Sequence, residues 1–482
     1  MAEVTLILTC LSILCNALFA GGIFTFPVLS PALAIRCGLT QPELTTIVLA
    51  GMIGQYPFSA FVGKIIDHRG PATCSAVASV LFAGAYGLFA HEISKVHETK
   101  DPYAFYRLTL YFFLAGLGTV FSYFSTVFAA SRVLPNHSGV AAGISMSLFG
   151  LSPLFLSTIA SNVYMTEFGL DIIPFLKFMT VFSFITHVNG ALNIRVSSHS
   201  QLQNQPIEPP RHPDTRGGSC SDDPADEHTA LLPTDSTVDF SPAVVLQDNT
   251  MLSVFKDWHF WFLATSLFFT LGMCEMVLSN IGSIAMSLPP SHGHFVDTPL
   301  DAGPARQVKL LSLANTLSRI VVGPLADFVS PVVAFLPPDG STIPRRHYIS
   351  RISFLTAASL LLAATFLVVS LTVRSQGQLW ILSVGCGISY GAIFTVLPSI
   401  ISAIWGVTNL GRNFGALTYA PFLGTPVFSY LYAFIYARDA ESSSGICYGS
   451  VCWITTFWFC FVTAVISFIG TLILWRNWRG RL

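Results

Sequence analysis

Residues 197–249 read SSHSQLQNQPIEPPRHPDTRGGSCSDDPADEHTALLPTDSTVDFSPAVVLQDN. The stretch is rich in Pro, Ser, Asp and Gln and has no sustained apolar period. It cannot bury enough surface to offset the entropy of ordering it, so it reads as a disordered connection. The chain on either side is strongly apolar. The stretch therefore divides the protein into an apolar unit over 1–196, a linker over 197–253 and a second apolar unit over 254–482.

Composition fixes the class. Of the 482 residues, 52% are hydrophobic and only 10% charged, and Phe alone occurs 40 times. A soluble domain carries roughly 25% charge, so this chain is a helical membrane protein whose first partner is the lipid bilayer. A formal net charge of −1 gives no electrostatic footprint for nucleic acid. Most cysteines sit within apolar runs, where they read as small buried hydrophobes, and no metal-ligand spacing or cofactor motif is present. The first apolar run has no basic stretch before it and no clean cleavage site after it, so it reads as a retained helix, with a signal peptide as the alternative.

A span needs about 20 apolar residues. Six candidates precede the linker, at 5–30, 43–62, 73–92, 108–133, 138–161 and 172–194. Six follow it, at 257–286, 307–326, 352–373, 379–403, 412–436 and 453–475. The fold class is thus all-α, with twelve transmembrane helices in two sets of six. More Lys and Arg lie on the side that carries the linker, including Lys64, Arg69, Arg132, Arg351 and Arg412. That bias predicts cytosolic N- and C-termini, and the closing WRNWRGRL fits an interfacial anchor on the same side.

An internal repeat supports the division. Gly63-Lys64-Ile65-Ile66-Asp67-His68-Arg69-Gly70 closes the second span, and Gly323-Pro324-Leu325-Ala326-Asp327 closes the second span of the other half. Both read G-x-[IL]-x-D. Gly63 and Gly323 would let the chain turn at the membrane face, and Asp67 and Asp327 would cap the helix that follows. The paired motif resembles the loop 2–3 and loop 8–9 signature of the major facilitator superfamily. That resemblance implies two six-helix bundles around a central pathway, worked by alternating access. Gly63, Asp67, Arg69 and Gly70 match the first copy, but Phe328, Val329 and Ser330 stand where the second copy would carry a basic tail. The stretches at 29–44, 134–152, 312–327 and 388–406 resemble the nodulin-like branch, and within it the fungal vacuolar monocarboxylate-transporter homologues. Ser138 departs from that branch, which often has Arg there. The resemblance implies a vacuolar membrane home and transport, and names no substrate.

A few residues stand out against the apolar background. Glu275 lies well inside span 7. A carboxylate at membrane depth is costly and by default marks a pathway or proton relay, although a plain interhelical hydrogen bond is the alternative. Arg319 lies in span 8, one turn after Asn315, so both share a helix face. It could hold a carboxylate with two parallel hydrogen bonds, or it could snorkel to the nearby face. Monocarboxylate carriers resemble this arrangement but carry Asp where Asn315 stands, and Asn cannot exchange a proton. Asn16, Gln55, Asn280, Tyr390 and Asn413 are further polar residues in spans, open to either a cavity or an interhelical role. His187 and Asn189, late in span 6, read as interfacial. Gly139, Gly143 and Gly150, with Pro153, read as close helix packing in span 5, with a hinge for alternating access as the alternative.

Within the linker, Glu227, Leu231 and Leu232 fit the acidic di-leucine pattern that a sorting adaptor reads. Cys447 and Cys452, in the last loop of the opposite face, could form a disulfide closing a short loop in a lumen, with two free thiols as the alternative. The sequon at Asn136 falls on the linker side and is expected to stay unmodified. No HExxH, paired-Asp or nucleotide-binding stretch points to an enzyme. The reading is a secondary transporter of a small solute, such as an organic anion, with protons as a possible partner. A non-transporting sensor or scaffold on the same fold is the alternative.

Overall fold

The computed structural model describes residues 2–95, 103–133, 138–166, 169–202, 251–290, 302–330, 349–405, 410–440 and 447–478. Most of the stretch expected to lack structure lies outside these residues, as do Glu227, Leu231, Leu232, the sequon at Asn136 and the last four residues. At its two edges the helices run further than expected, because α7 (Ile172–Leu202) and the short α8 (Met251–Lys256) both reach into 197–253.

The first half opens with a bent pair. Helix α1 (Ala2–Ala20) passes through a 3-10 turn at Gly22–Thr25 into α2 (Phe26–Cys37), with a 40° change of direction. Pro27 sits in the first turn of α2, where its missing N–H leaves no acceptor unserved. Helix α3 (Gln41–Gln55) starts at a capping box. The Thr40 N–H donates to Glu43 Oε2 at 2.8 Å, and the Thr40 side chain serves the N3 backbone. The second span continues past a kink at Tyr56-Pro57-Phe58 into α4 (Ser59–Lys95). Helices α5 (Ala104–Val133), α6 (Ser138–Val163) and α7 complete the half. The second half follows with α9 (Trp258–Met286), α10 (Ala302–Val329), α11 (Ile352–Thr372), α12 (Trp380–Trp405), α13 (Leu410–Arg438) and α14 (Val451–Asn477).

Among the described residues, ten helices are long and apolar enough to cross a membrane, or eleven with the bent pair. Helix α13, 29 residues long and carrying Pro421 and Pro426, makes the twelfth crossing by length alone. The chain is a multi-pass helical membrane protein, and exposed Leu, Ile, Val and Phe side chains cover its outer surface.

The turn between the second and third spans corrects one expectation. Gly63 lies inside α4, and the chain turns at Gly70, with φ +78° and ψ 171°. Only Gly tolerates that region without strain, and Pro71 then starts the third span.

The halves meet at one end. Gln41 Nε2 donates to Asn280 Oδ1 at 3.0 Å, and Thr46 Oγ1 lies 3.0 Å from the Tyr430 hydroxyl. The Ser312 hydroxyl donates to Gly150 O at 2.7 Å. Gly282 packs on Pro27 so closely that a Cβ would lie 1.9 Å from the Pro27 carbonyl oxygen. The Ser312–Gly150 pair lies at mid-depth, and the other contacts sit toward the face opposite the Gly63–Gly70 motif. Toward the motif face the halves part around a cavity. Gly70→Ala should cost about 1–3 kcal/mol of stability through backbone strain, read as a lower thermal unfolding midpoint of the purified protein in detergent.

Candidate functional site

The cavity between the halves has a volume of about 1280 Å³ and runs from Arg319 and Tyr390 at depth out to Lys64, Phe255 and Arg412 near the motif face. Aromatic rings dominate its wall. Its charged lining residues, Lys64, Arg319 and Arg412, are all cationic. No carboxylate lines it among the described residues.

Glu275 lies just behind this wall, with no exposed surface. A buried carboxyl group needs its hydrogen bonds from the protein, and three hydroxyls supply them. Tyr56, at the kink of span 2, donates to Oε1. Tyr390 on α12 donates to the same oxygen at 3.3 Å. The Thr425 hydroxyl on α13 lies 2.6 Å from Oε2. Tyr56 belongs to the first half and Glu275 to the second, so the contact crosses the interface between them.

The Thr425 hydroxyl also lies 2.8 Å from the Pro421 carbonyl oxygen. It has one proton and two acceptors in reach. With Glu275 ionised, Thr425 donates to the carboxylate. With Glu275 protonated, the acid can donate to Thr425, which then donates to Pro421. The same side chains therefore satisfy both protonation states, and only a hydroxyl rotation separates them.

Arg319 points into the cavity and not toward the membrane face. Its Nε donates to Asn315 Oδ1 at 3.0 Å, one helical turn back, and its guanidinium carbon lies 5.7 Å from the centre of the Phe394 ring. No carboxylate among the described residues pairs with it. With Nε held by Asn315, the two terminal nitrogens form the fork left for an anion. Asn315 thus orients the guanidinium without neutralising it, a role open to a neutral amide and spoiled by a carboxylate.

The remaining polar residues separate by location. Gln55 and Tyr390 line the cavity. Asn280 joins the two halves through Gln41. Asn16 donates to Ser75 inside the first half at 2.9 Å, and Asn413 is buried. His187 is not interfacial. It is fully buried, with Nε2 2.7 Å from Ser122 Oγ and Nδ1 2.7 Å from Ser183 O. Its apolar neighbour Phe82 closes the site, so this is a structural imidazole among helices of the first half. Gly150 packs on Asn315 and Thr316, while Gly143 faces open space. Tyr56, Tyr123, Thr425 and Phe394 escaped sequence reasoning. Of these only Tyr56 carried a usable signal, its place beside Pro57 and Gln55 within a span.

The second motif differs from expectation too. Asp327 lies inside α10 and caps no following helix. Its Oδ1 accepts from Arg351 Nη2 at 2.7 Å, and Arg351 Nε donates to Ser330 O at 2.9 Å. Arg351, from the start of α11, thus supplies the cation missing from the tail after Asp327, and it also meets the carbonyl end of α10, where positive charge is favourable. In the first copy, Gly70 lies near Arg132, and the Asp67 side chain lies outside the described residues. On the opposite face Cys447 and Cys452 are joined in a disulfide. The loop they close is tied to α9 by the Gly449 N–H, which donates to Ser287 O at 2.6 Å.

Comparison with known proteins accords with this architecture. Residues 9–343 match the family described as Major Facilitator Superfamily, and residues 342–479 match the C-terminal domain described for NFD4. The chain is 26% identical to a Neurospora crassa protein named "Probable transporter mch1", over 98% of this chain and 88% of that one. It is 25% identical to the Debaryomyces hansenii "Probable transporter MCH1", over 97% and 91%. Among solved structures it resembles the inward-open xylose transporter XylE from E. coli, with TM-score 0.59 and 11% identity over 96% of this chain and 95% of that one. It also resembles a bacterial homologue of the human lysosomal transporter Spinster, inward-facing and unoccupied, with TM-score 0.58 and 14% identity over 99% and 98%. At such identities the likeness concerns the fold.

Among the described residues, Tyr56→Phe removes the one donor that reaches Glu275 from the other half. A hydrogen bond to a buried carboxyl contributes about 1–3 kcal/mol, so the variant should melt at a lower temperature than the parent in detergent. Tyr123→Phe, which leaves Glu275's three hydroxyl partners in place, should melt close to the parent.

Proposed function

Because this chain belongs to the Major Facilitator Superfamily, we propose that it is a secondary transporter that moves a small organic anion by alternating access, with a proton carried on Glu275. The observation that carries the anion is Arg319, a guanidinium lining the inner end of the cavity, with its Nε held by Asn315 and no carboxylate partner among the described residues. Together with Lys64 and Arg412 it makes the path attractive to negative charge. A site between the two halves is where such carriers bind their cargo.

The proton reading rests on the two acceptors within reach of the Thr425 hydroxyl, Glu275 and the Pro421 carbonyl. Loss of the proton favours donation from Tyr56, Tyr390 and Thr425 toward the carboxylate, and so strengthens a bond between the halves. Uptake of a proton weakens the call on Tyr56 and lets the halves separate there. The bound anion and the proton would then move together through one rearrangement. The Asp that monocarboxylate carriers place one turn before their Arg is Asn315 here, and Glu275 on the neighbouring helix takes over proton exchange.

The cavity opens toward the motif face, which the Lys and Arg bias assigns to the cytosol. The disulfide on the other face supports that orientation, since disulfides persist on the lumenal or external side. The arrangement is then inward-open, with Gln41–Asn280 and Thr46–Tyr430 among the contacts that close the far side. The Gly63–Gly70 motif and Asp327 with Arg351 sit at the open face, where they would brace the bundles as they move. We place the protein in the vacuolar membrane, with both termini cytosolic and an adaptor reading Glu227, Leu231 and Leu232.

Two experiments test this reading. In the first, purified protein in liposomes is offered a panel of organic anions and neutral solutes with and without an inward proton gradient. Gradient-stimulated uptake of an anion is expected. Glu275→Gln should abolish the stimulation while leaving anion exchange, and Arg319→Gln should lower uptake at least about tenfold through loss of a charged hydrogen-bonding partner. Uptake of neutral solutes alone sinks the anion assignment, and movement of no solute favours a sensor or scaffold. In the second, Leu231→Ala with Leu232→Ala should divert a fluorescently tagged chain from the vacuolar membrane, and an unchanged destination removes the sorting role.

A further inference from the structure

The rings around Arg319 say more about the cargo than its charge does. On one wall, Phe149 of α6 packs edge-on against Tyr123 of α5 at 5.0 Å between ring centres, and against Phe24 of the 3-10 turn at 5.8 Å. On the other wall, Tyr390 and Phe394 of α12 meet at 4.8 Å, and Arg319 lies over the Phe394 ring. The first wall belongs to one half of the molecule and the second to the other. Gly150, next to Phe149, brings the two walls together: a Cβ there would lie 3.3 Å from Asn315 Nδ2 and 3.8 Å from Arg319 Nε.

Size argues in the same direction. Ligand pockets usually span about 300–1000 Å³, and this cavity reaches about 1280 Å³. A carboxylate of two or three carbons on Arg319 would leave both ring walls facing water. A flat ring attached to the carboxylate would cover them, and aromatic faces interact with other rings beyond simple burial of area. The other polar groups that line the inner end of the cavity are hydroxyls and amides, with Glu275 set behind Tyr390.

We infer that the preferred cargo is an aromatic organic anion, with its carboxylate on Arg319 and its ring held between Phe149 with Tyr123 on one half and Tyr390 with Phe394 on the other. This rests on the anion reading above and narrows it. Because the ring touches both halves, its binding also draws them toward closure, which a short aliphatic acid could not do.

The test is thermal stabilisation of the full-length purified chain by four probes: acetate, benzoate, 2-naphthoate and the uncharged 2-naphthamide. Half-maximal stabilisation should need at least about tenfold less 2-naphthoate than acetate, with benzoate between them. Naphthamide should bind at least about tenfold more weakly than naphthoate, through loss of the charged hydrogen bonds. Phe149→Leu retains apolar bulk but loses the flat face. It should weaken naphthoate several-fold and leave acetate unchanged. Acetate binding as well as naphthoate overturns the aromatic cargo and leaves the anion reading standing. Naphthamide binding as well as naphthoate overturns the anion reading itself. A Phe149→Leu chain that loses both acids equally, or no stabilisation by any probe, also overturns the proposal.

Discussion

A carboxyl group with no exposed surface, inside a helix that crosses a membrane, must receive its hydrogen bonds from side chains or leave the bilayer. Glu275 receives them from three helices, and one donor, Tyr56, comes from the other half of the molecule. That single requirement draws the kink at Tyr56-Pro57, the proline-rich stretch of α13 with Thr425, and α12 with Tyr390 to a common point. The wall they form separates Glu275 from the cavity by the thickness of a tyrosine. In the proposed mechanism a proton would exchange behind the wall while an anion met Arg319 in front of it, and the two charges would not touch.

The asymmetry between the two faces follows from the residues available at each. Toward the far face, Gly282 against Pro27 and the Gln41–Asn280 and Thr46–Tyr430 pairs let backbones approach and satisfy one another. Toward the motif face the cavity lining carries Lys64, Arg412 and bulky rings such as Phe128 and Trp261. The halves therefore close where small and neutral polar groups meet, and part where long and bulky side chains do.

Much of the architecture was legible because membrane helices announce themselves by length and hydropathy. The expected twelve spans fall on the observed helices within several residues, and the twelfth crossing by apolar character, α13, is the one its prolines dilute. Glu275 was visible as a charge where none belongs. Its partners were not, because Ser, Thr and Tyr are common in apolar spans and only the packing decides which hydroxyl turns toward an acid. Arg319 stood between two readings for a related reason. Its distance from the helix end allows either a reach to the membrane face or a turn inward, and the Phe394 ring on another helix settles the rotamer. Gly63 and Gly70 both fit a turn by residue type, and the fold uses Gly70 because Pro71 must begin the next helix. His187 looked interfacial by its position late in a span, but α7 runs on to Leu202, well beyond the expected end at 194.

The Arg351 contacts bear on what lies between α10 and α11. One guanidinium holds both Asp327 and the Ser330 carbonyl, so the two ends of the 331–348 connection are fastened together by a side chain outside it. The entropy of closing a chain segment grows only slowly with its length. Because Arg351 fastens the end of α10 to the start of α11, an insertion between them would cost little, while loss of that one arginine would release Asp327 and the Ser330 carbonyl together.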